Sequence, residues 1–301
     1  MESALDYFDE QVDVEVRGGI FRTYKAGNGG AVCVLIHGVG LAAVSWALLG
    51  NLIKKKLQVL AIDLRGHGDT HFEDETDQSL ETHAEDVVSV VNKLYPSHNE
   101  GIILVGHSMG GAIAVQIAVQ NRLQSQLKGL ILIEAVEGTA LDSLPGMENL
   151  LNQRPAQFET IENACIWAAS NLVKKPQALR VSAPFLFKEI DDGQSKKYTW
   201  RIPLIQTKPY WKGWYSGLGG NFLSVKCPKV LCVADLDRLD TPMSIAQMQG
   251  KFQFNIIPNS GHHVQEEEPE KVSNIIIGFA ERYGFQKGAQ PRGAIGGNSW
   301  I

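Results

Sequence analysis

Gly106-His107-Ser108-Met109-Gly110 closes the apolar run GIILVG and opens directly into GAIAVQIAVQ. A serine hydroxyl is a poor nucleophile at its own pKa. Proteins that use one raise it on a sharp strand-to-helix turn, where a base can reach the oxygen and a backbone N–H stands behind it. Such a turn admits only small flanking residues, and positions 106 and 110 are glycines. The pattern points to acyl transfer through Ser108, which needs a base, a carboxylate to orient that base, and N–H donors for an oxyanion.

For the base, Gly261-His262-His263 follows the last strand-like run in IIPNSGHHVQEEEP, and His262, directly after the glycine, is the expected residue. His263 reads as an ordinary loop histidine, and His37, His67 and His107 as structural. The backbone N–H of Met109, next after the serine, is one expected oxyanion donor. The second comes from His37-Gly38-Val39-Gly40, after AVCVLI, where flexible glycines let the N–H of Val39 or Gly40 turn inward. Two residues compete for the acid. Asp237, in VLCVADLDRLDTP, follows the penultimate strand, and Glu134, in LILIEAVEGTALD, follows the strand before a change of sequence character. Position favours Asp237, while either carboxylate can hold an imidazole tautomer. Asp63-Leu64-Arg65-Gly66-His67-Gly68 reads as a tight structural loop below the site.

These residues need a frame. Short apolar runs (VDVEV, FRTYKA, AVCVLI, QVLAI, IILVG, LILI, KVLCVA, FQFNIIP) alternate with helix-like segments. Continuous apolar strands separated by helices predict an α/β fold with a mostly parallel central sheet covered on both faces. Val87, Val88, Val91 and Leu94 recur at helical spacing, and Thr82 with Glu85 predicts a capping box for that helix. From about 141 to 225 the rhythm changes to mixed aromatic and polar residues without strand runs, which predicts an inserted helical cap whose most loop-like part is EIDDGQSKKY. The 301 residues thus read as one domain, with core segments 10–140 and 226–285 and a glycine-rich, flexible tail over 286–301.

Composition narrows the partners. A 44 % hydrophobic content supports a sizeable core, and a net charge of −5 gives no general attraction to nucleic acid or anionic membrane. No apolar run approaches the roughly 18 residues of a membrane span. The acidic N-terminus, MESALDYFDEQVDVEV, lacks the cations and apolar stretch of a secretory signal. The four cysteines, Cys33, Cys165, Cys227 and Cys232, sit mostly in apolar segments without zinc spacing, as expected of reduced thiols in a cytoplasmic or nuclear protein.

Beyond these motifs, DVEV, FRTYKAG, LIHGVGLAAVSWALL, AIDLRGHGDT, GHSMGGAIAV, VEGTALDSLPGMENLLNQRP, YTWRI, YWKGWYSGL, DRLDTPMSIAQMQGKFQ and GHHV span roughly residues 10 to 285. With them the chain resembles the protein phosphatase methylesterases, which remove the methyl ester from the C-terminal leucine of the catalytic subunit of type 2A protein phosphatases. The resemblance implies an α/β-hydrolase fold, serine esterase activity without metal or organic cofactor, and that subunit as partner. It puts the family's serine on Ser108, its histidine on His262 and its acid on Glu134, reversing the positional preference for Asp237, which stays the alternative. A member of that family carries aspartate at that position, so the longer Glu134 is a departure. The charged loop before YTWRI is also shorter than the acidic insertion of some relatives.

One methylene is worth only about 0.8 kcal/mol of burial, so recognition cannot rest on the methyl group. The leucine side chain, the preceding tail and the phosphatase surface must supply it. The cap aromatics Trp200, Tyr210, Trp211, Trp214 and Tyr215 are the expected contacts, with packing of the cap core as the competing role for each.

Overall fold

Strands form where β-branched and aliphatic residues run together, and their alternate side chains fill opposite sides of one sheet. The computed structural model describes residues 2–288 except 97, 98, 100, 192 and 194. Its strands are β1 (Glu10–Val16), β2 (Gly19–Ala26), β3 (Val32–Ile36), β4 (Gln58–Ile62), β5 (His71–Phe72), β6 (Ile102–His107), β7 (Leu127–Ile133), β8 (Gln157–Phe158), β9 (Phe187–Asp191), β10 (Lys196–Trp200), β11 (Lys229–Val233) and β12 (Gln253–Ile256). The main sheet runs β1-β2-β4-β3-β6-β7-β11-β12, with β5 paired to β2. From β4 to β12 every pairing is parallel, whereas β2 is antiparallel to β1, β4 and β5.

The helices are α1 (Ala47–Ile53), α2 (Leu80–Leu94), α3 (Met109–Val119), α4 (Glu137–Asn152), α5 (Ile161–Asn171), α6 (Lys208–Tyr215), α7 (Leu218–Ser224), α8 (Thr241–Met248), α9 (Val264–Glu267) and α10 (Pro269–Tyr283). In β3, Val34 and Ile36 join one buried cluster with Val87 and Val91 of α2 and Ile113 of α3. Cys33 and Leu35 face the other cluster, with Leu49 of α1 and Ile276 and Phe279 of α10. The strand period of two thus puts helices on both faces. All strands that end near Ser108 are parallel, so their C-terminal ends and the loops leaving them converge at one edge of the sheet.

Helix α2 begins at Leu80, before the predicted capping box. Ser79 is its N-cap and accepts from Thr82 N–H at 3.3 Å, while the Thr82 hydroxyl donates to Asp77 Oδ2 at 2.5 Å. The Thr82–Glu85 box is therefore corrected: Thr82 already lies inside the first turn.

The segment between β7 and β11 is not purely helical. It carries a three-stranded antiparallel sheet in the order β8-β10-β9, and of the loop-like EIDDGQSKKY, residues 189–191 end β9 and 196–198 begin β10, while 192 and 194 lie outside the described residues. Charged residues on the open face of FKEID and KKYTW hide the strand pattern, while Phe158, Phe187 and Trp200 pack together on the other side. Within this segment α6 belongs to the body: Trp211, Trp214 and Tyr215 pack into the cluster of α2 and α3.

The four cysteines form no disulfide, and burial pushes the Cys33 and Cys232 thiols up to about 12. Among the described residues no helix is long and apolar enough to cross a membrane. Of the expected tail, residues 289–301 lie outside the described residues, while Lys287 N–H donates to Lys56 O at 2.7 Å.

Candidate active site

Ser108 sits between the end of β6 and the start of α3 with φ 52° and ψ −119°, a backbone conformation that L residues rarely adopt. Two close approaches enforce it. A Cβ on Gly106 would lie 2.3 Å from Gly110 O, and one on Gly110 would lie 2.1 Å from Ile36 O. The Ser108 N–H donates to Ile133 O at 2.9 Å, tying the turn to the end of β7. Ser108 is 7 % exposed, and its Oγ lies 3.4 Å from the Tyr215 hydroxyl. Burial raises the Tyr215 pKa, which keeps that phenol protonated.

His262 occupies the loop between β12 and α9. Its Nδ1 lies 3.2 Å from Glu134 Oε2. Glu134 Oε1 accepts from Ala234 N–H at 2.6 Å, so the carboxylate joins the end of β7 to the end of β11 and to the histidine loop. With Nδ1–H donating to Glu134, the Nε2 of His262 is the acceptor. The Glu134 backbone, at φ 52°, shares the left-handed region with Ser108. Asp237 stands elsewhere. It is exposed in a short helical turn after β11, and its backbone N–H bonds Asp235. The positional preference for Asp237 is corrected, because the carboxylate that meets His262 is Glu134.

The N–H of Met109 lies in the first turn of α3, where no intrahelical acceptor exists. The two candidates in the Gly38–Gly40 loop separate. Gly40 N–H donates to His67 Nε2 at 3.1 Å, so it is already engaged, and Val39 N–H is the one left without a partner among the described residues. Gly40 as donor is thus corrected, because the acceptor arrives from a distant loop.

Buried histidines hold this loop. His67 Nδ1 donates to Arg65 O at 2.9 Å, and His37 bridges Gly38 O at 2.8 Å and Leu64 N–H at 3.1 Å. Burial lowers their pKa values, that of His67 to about 4, so both stay neutral and each keeps one acceptor nitrogen. Asp63 accepts from Ala43 and Asp69 N–H at 2.6 and 2.8 Å, and Arg65 grips Asp86 with two hydrogen bonds.

A family model described as the alpha/beta hydrolase family matches residues 33–275. The chain is 40 % identical over 290 residues to a probable protein phosphatase methylesterase 1 of Caenorhabditis elegans, covering 95 % of this chain and 78 % of that one. It is likewise 40 % identical, over an alignment of 335 positions, to protein phosphatase methylesterase 1 of Homo sapiens, covering 96 % of this chain and 86 % of that one. The chain is an α/β hydrolase of the protein phosphatase methylesterase family. At the level of fold, the crystal structure of E-2-(acetamidomethylene)succinate hydrolase is similar, with a TM-score of 0.74 at 19 % identity, covering 90 % of this chain and 99 % of that one.

In this methylesterase-family chain Ser108 lies at the junction of two lobes of one cleft. The smaller, about 300 Å³, is lined by Val136, Ala140, Ser143 and Arg238 beside Glu134 and His262. The larger, about 580 Å³, is lined by Val39, Leu41, Arg154, Trp167 and Leu204. Met147, Leu150 and Tyr215 border both lobes. Arg238 stands half exposed at the mouth, its Nε 3.7 Å from Glu134 Oε2.

The aromatics expected to touch substrate divide. Trp211 and Trp214 are buried, and their indole N–H groups donate to Thr207 Oγ1 and Gln78 O, so they are packing residues and that expectation is corrected. Tyr210 donates to Thr76 O at 3.0 Å and borders neither lobe. Trp200 stacks within the small sheet, outside both lobes, and Tyr215 alone of the five reaches the serine.

One histidine read as structural has a definite partner, and two glutamates escaped the sequence reading. His107 Nε2 donates to His262 O at 2.7 Å, bracing the histidine loop from the residue before the serine. Glu267 Oε1 accepts from Gly261 N–H at 2.8 Å, while its Oε2 accepts from Lys174 and Lys175 N–H at 3.0 and 3.2 Å. Glu266 accepts from Ser182 and faces His263 Nδ1 at 2.9 Å. The signal for these last two was the acidic run of GHHVQEEEP, whose glutamates are buried despite their charge. Among the described residues no group of three or more His, Cys, Asp or Glu is arranged to hold a metal ion.

Proposed function

We propose that this protein is a serine carboxylesterase that removes the methyl ester from the C-terminal leucine of the catalytic subunit of a type 2A protein phosphatase, with Ser108, His262 and Glu134 as its triad. The observation that carries this reading is the 3.2 Å contact between Glu134 Oε2 and His262 Nδ1 in the cleft that holds Ser108, in a chain of this family. The names of the relatives support a protein phosphatase as substrate. A location in the cytoplasm or nucleus, where such a partner resides, belongs to the same proposal.

Glu134 fixes the tautomer in which His262 Nε2 is basic and stabilises the imidazolium that forms. His262 Nε2 comes within reach of Ser108 Oγ, replacing the Tyr215 hydroxyl as its partner, and takes the proton as Oγ bonds to the ester carbonyl carbon. The N–H groups of Met109 and Val39 receive the oxyanion. The carbon–methoxy bond then breaks, and His262 returns the proton to the leaving oxygen as methanol. Water, deprotonated by His262, cleaves the acyl-serine and releases the leucine carboxylate. No step requires a metal or an organic cofactor.

The test is demethylation of intact methylated phosphatase by the wild-type protein and by Ser108→Ala, with a fluorophosphonate probe as a second readout. Wild type is expected to demethylate and to label at Ser108, and the variant to do neither. Equal labelling of both proteins, or hydrolysis of small esters without demethylation, would overturn the reading.

A further inference from the structure

The larger lobe contains a cation without an anion. Arg154, just after α4, lines this lobe together with Ser108 and Tyr215, and it also lines a neighbouring cavity of about 390 Å³ formed by Thr199, Trp200 and Ile202 to Ile205. Its guanidinium lies over the Trp200 ring, 4.8 Å from the centroid. Among the described residues the guanidinium makes no hydrogen bond and no ion pair. The contrast with other arginines is plain: Arg65 faces Asp86, Arg201 faces Asp69, and Arg238 faces Glu134.

This arginine is held rather than loose. Arg154 N–H donates to Leu151 O at 3.2 Å, Trp200 Nε1 donates to Pro155 O at 2.8 Å, and Thr199 Oγ1 donates to Ala156 O at 2.9 Å. Backbone and aromatic face are fixed, while the planar N–H fork that matches a carboxylate is unfilled. Desolvation lowers its pKa, yet a guanidinium stays charged at neutral pH. A half-buried, desolvated charge gains more from a partner than one in open water.

We propose that Arg154 is an anion subsite of the active-site cleft, and that the preferred substrates are acidic peptide esters, with a carboxylate on the chain leading to the scissile ester. The inference rests on the esterase reading for what enters the cleft. It gives the larger lobe to the acyl chain, and the opposite lobe beside Arg238 and Glu134 is left to the small alcohol and its displacing water.

The test uses fluorescence anisotropy in the Ser108→Ala background, so that binding is read without turnover. The probes are labelled hexapeptide methyl esters ending in leucine, with one Asp moved through the preceding positions, each paired with its Asn counterpart. At one position the Asp peptide is expected to bind tighter than its Asn partner by on the order of tenfold at low salt. Arg154→Gln should bring that ratio to about one, Arg154→Lys should keep part of it, and Arg154→Glu should favour a Lys peptide over the Asp one. The thermal midpoint of each variant reports folding. No preference at any position, or a preference that survives Arg154→Gln in a folded protein, would overturn the proposal. Failure of the esterase reading shows separately, as no demethylation of intact methylated phosphatase by the protein with Ser108 intact.

Discussion

The serine side and the histidine side of the cleft are built in opposite ways. Ser108 is fixed by backbone against backbone: Gly106 and Gly110 allow approaches that a single Cβ would block, and the Ser108 N–H is bonded into the sheet. His262 is fixed by side chains from elsewhere, Glu134 on its ring, His107 on its carbonyl and Glu267 on the N–H of the preceding glycine, and its ring remains about half exposed. One side tolerates no change of shape. The other is adjustable, and because Glu267 also holds Lys174 and Lys175, its position is joined to that of the cap.

The largest break in this contrast is expected on the serine side. Gly110→Val puts a Cβ about on top of Ile36 O, a 2.1 Å approach that the sheet cannot relieve. It should cost several kcal/mol, about 3 or more, and abolish folded protein. Soluble yield and the thermal midpoint check this, and a stable Gly110→Val protein would show that the turn is less constrained than its contacts imply.

Acid should act next, through buried histidines on both sides. His37, His67, His83 and His107 are buried with lowered pKa values, to about 4 for His67 and about 3 for His83. Between pH 6.5 and about 4 the unfolded chain binds protons on these rings that the folded chain refuses. Their contribution is therefore complete above pH 6.5 and is lost as pH falls, by about 1.4 kcal/mol per pH unit for each fully depressed group. Asp63, raised by burial to about 6, opposes this as one group against four. Denaturant midpoints measured from pH 7 down to 4 should fall steadily, and a flat profile would contradict the burial of neutral histidines.

On the adjustable side, Glu267→Gln keeps the shape but places an amide N–H against backbone N–H donors. A loosened His262 loop should lower kcat by about ten- to a hundredfold with little change in KM, because a misplaced base slows the proton transfer and leaves the cleft intact. An effect confined to KM would move Glu267 from positioning the histidine to shaping the cap.

The same division explains what the sequence could reveal. GHSMG was legible because the steric demands of the turn are local and written in neighbouring residues. The central strands were legible because parallel strands buried on both faces read as plain apolar runs. The acid was not, since a carboxylate is chosen by which loop end meets the His262 ring, and position alone favoured Asp237. Gly40 misled for a similar reason: its N–H is taken by His67, 27 positions away in the chain. The cap sheet was hidden by the charged faces of β9 and β10, and Trp211 and Trp214 looked available only because nothing local shows that α6 packs on the body.

The central claim is that Glu134, one carbon longer than an aspartate, orients His262 for Ser108. It is tested by the rate of demethylation of methylated phosphatase with Glu134→Gln and Asp237→Asn. Glu134→Gln should lower kcat by about 10³ to 10⁴, the effect of presenting the wrong imidazole tautomer, while Asp237→Asn stays near wild type. Near-normal turnover by Glu134→Gln, with loss in Asp237→Asn, would contradict the account.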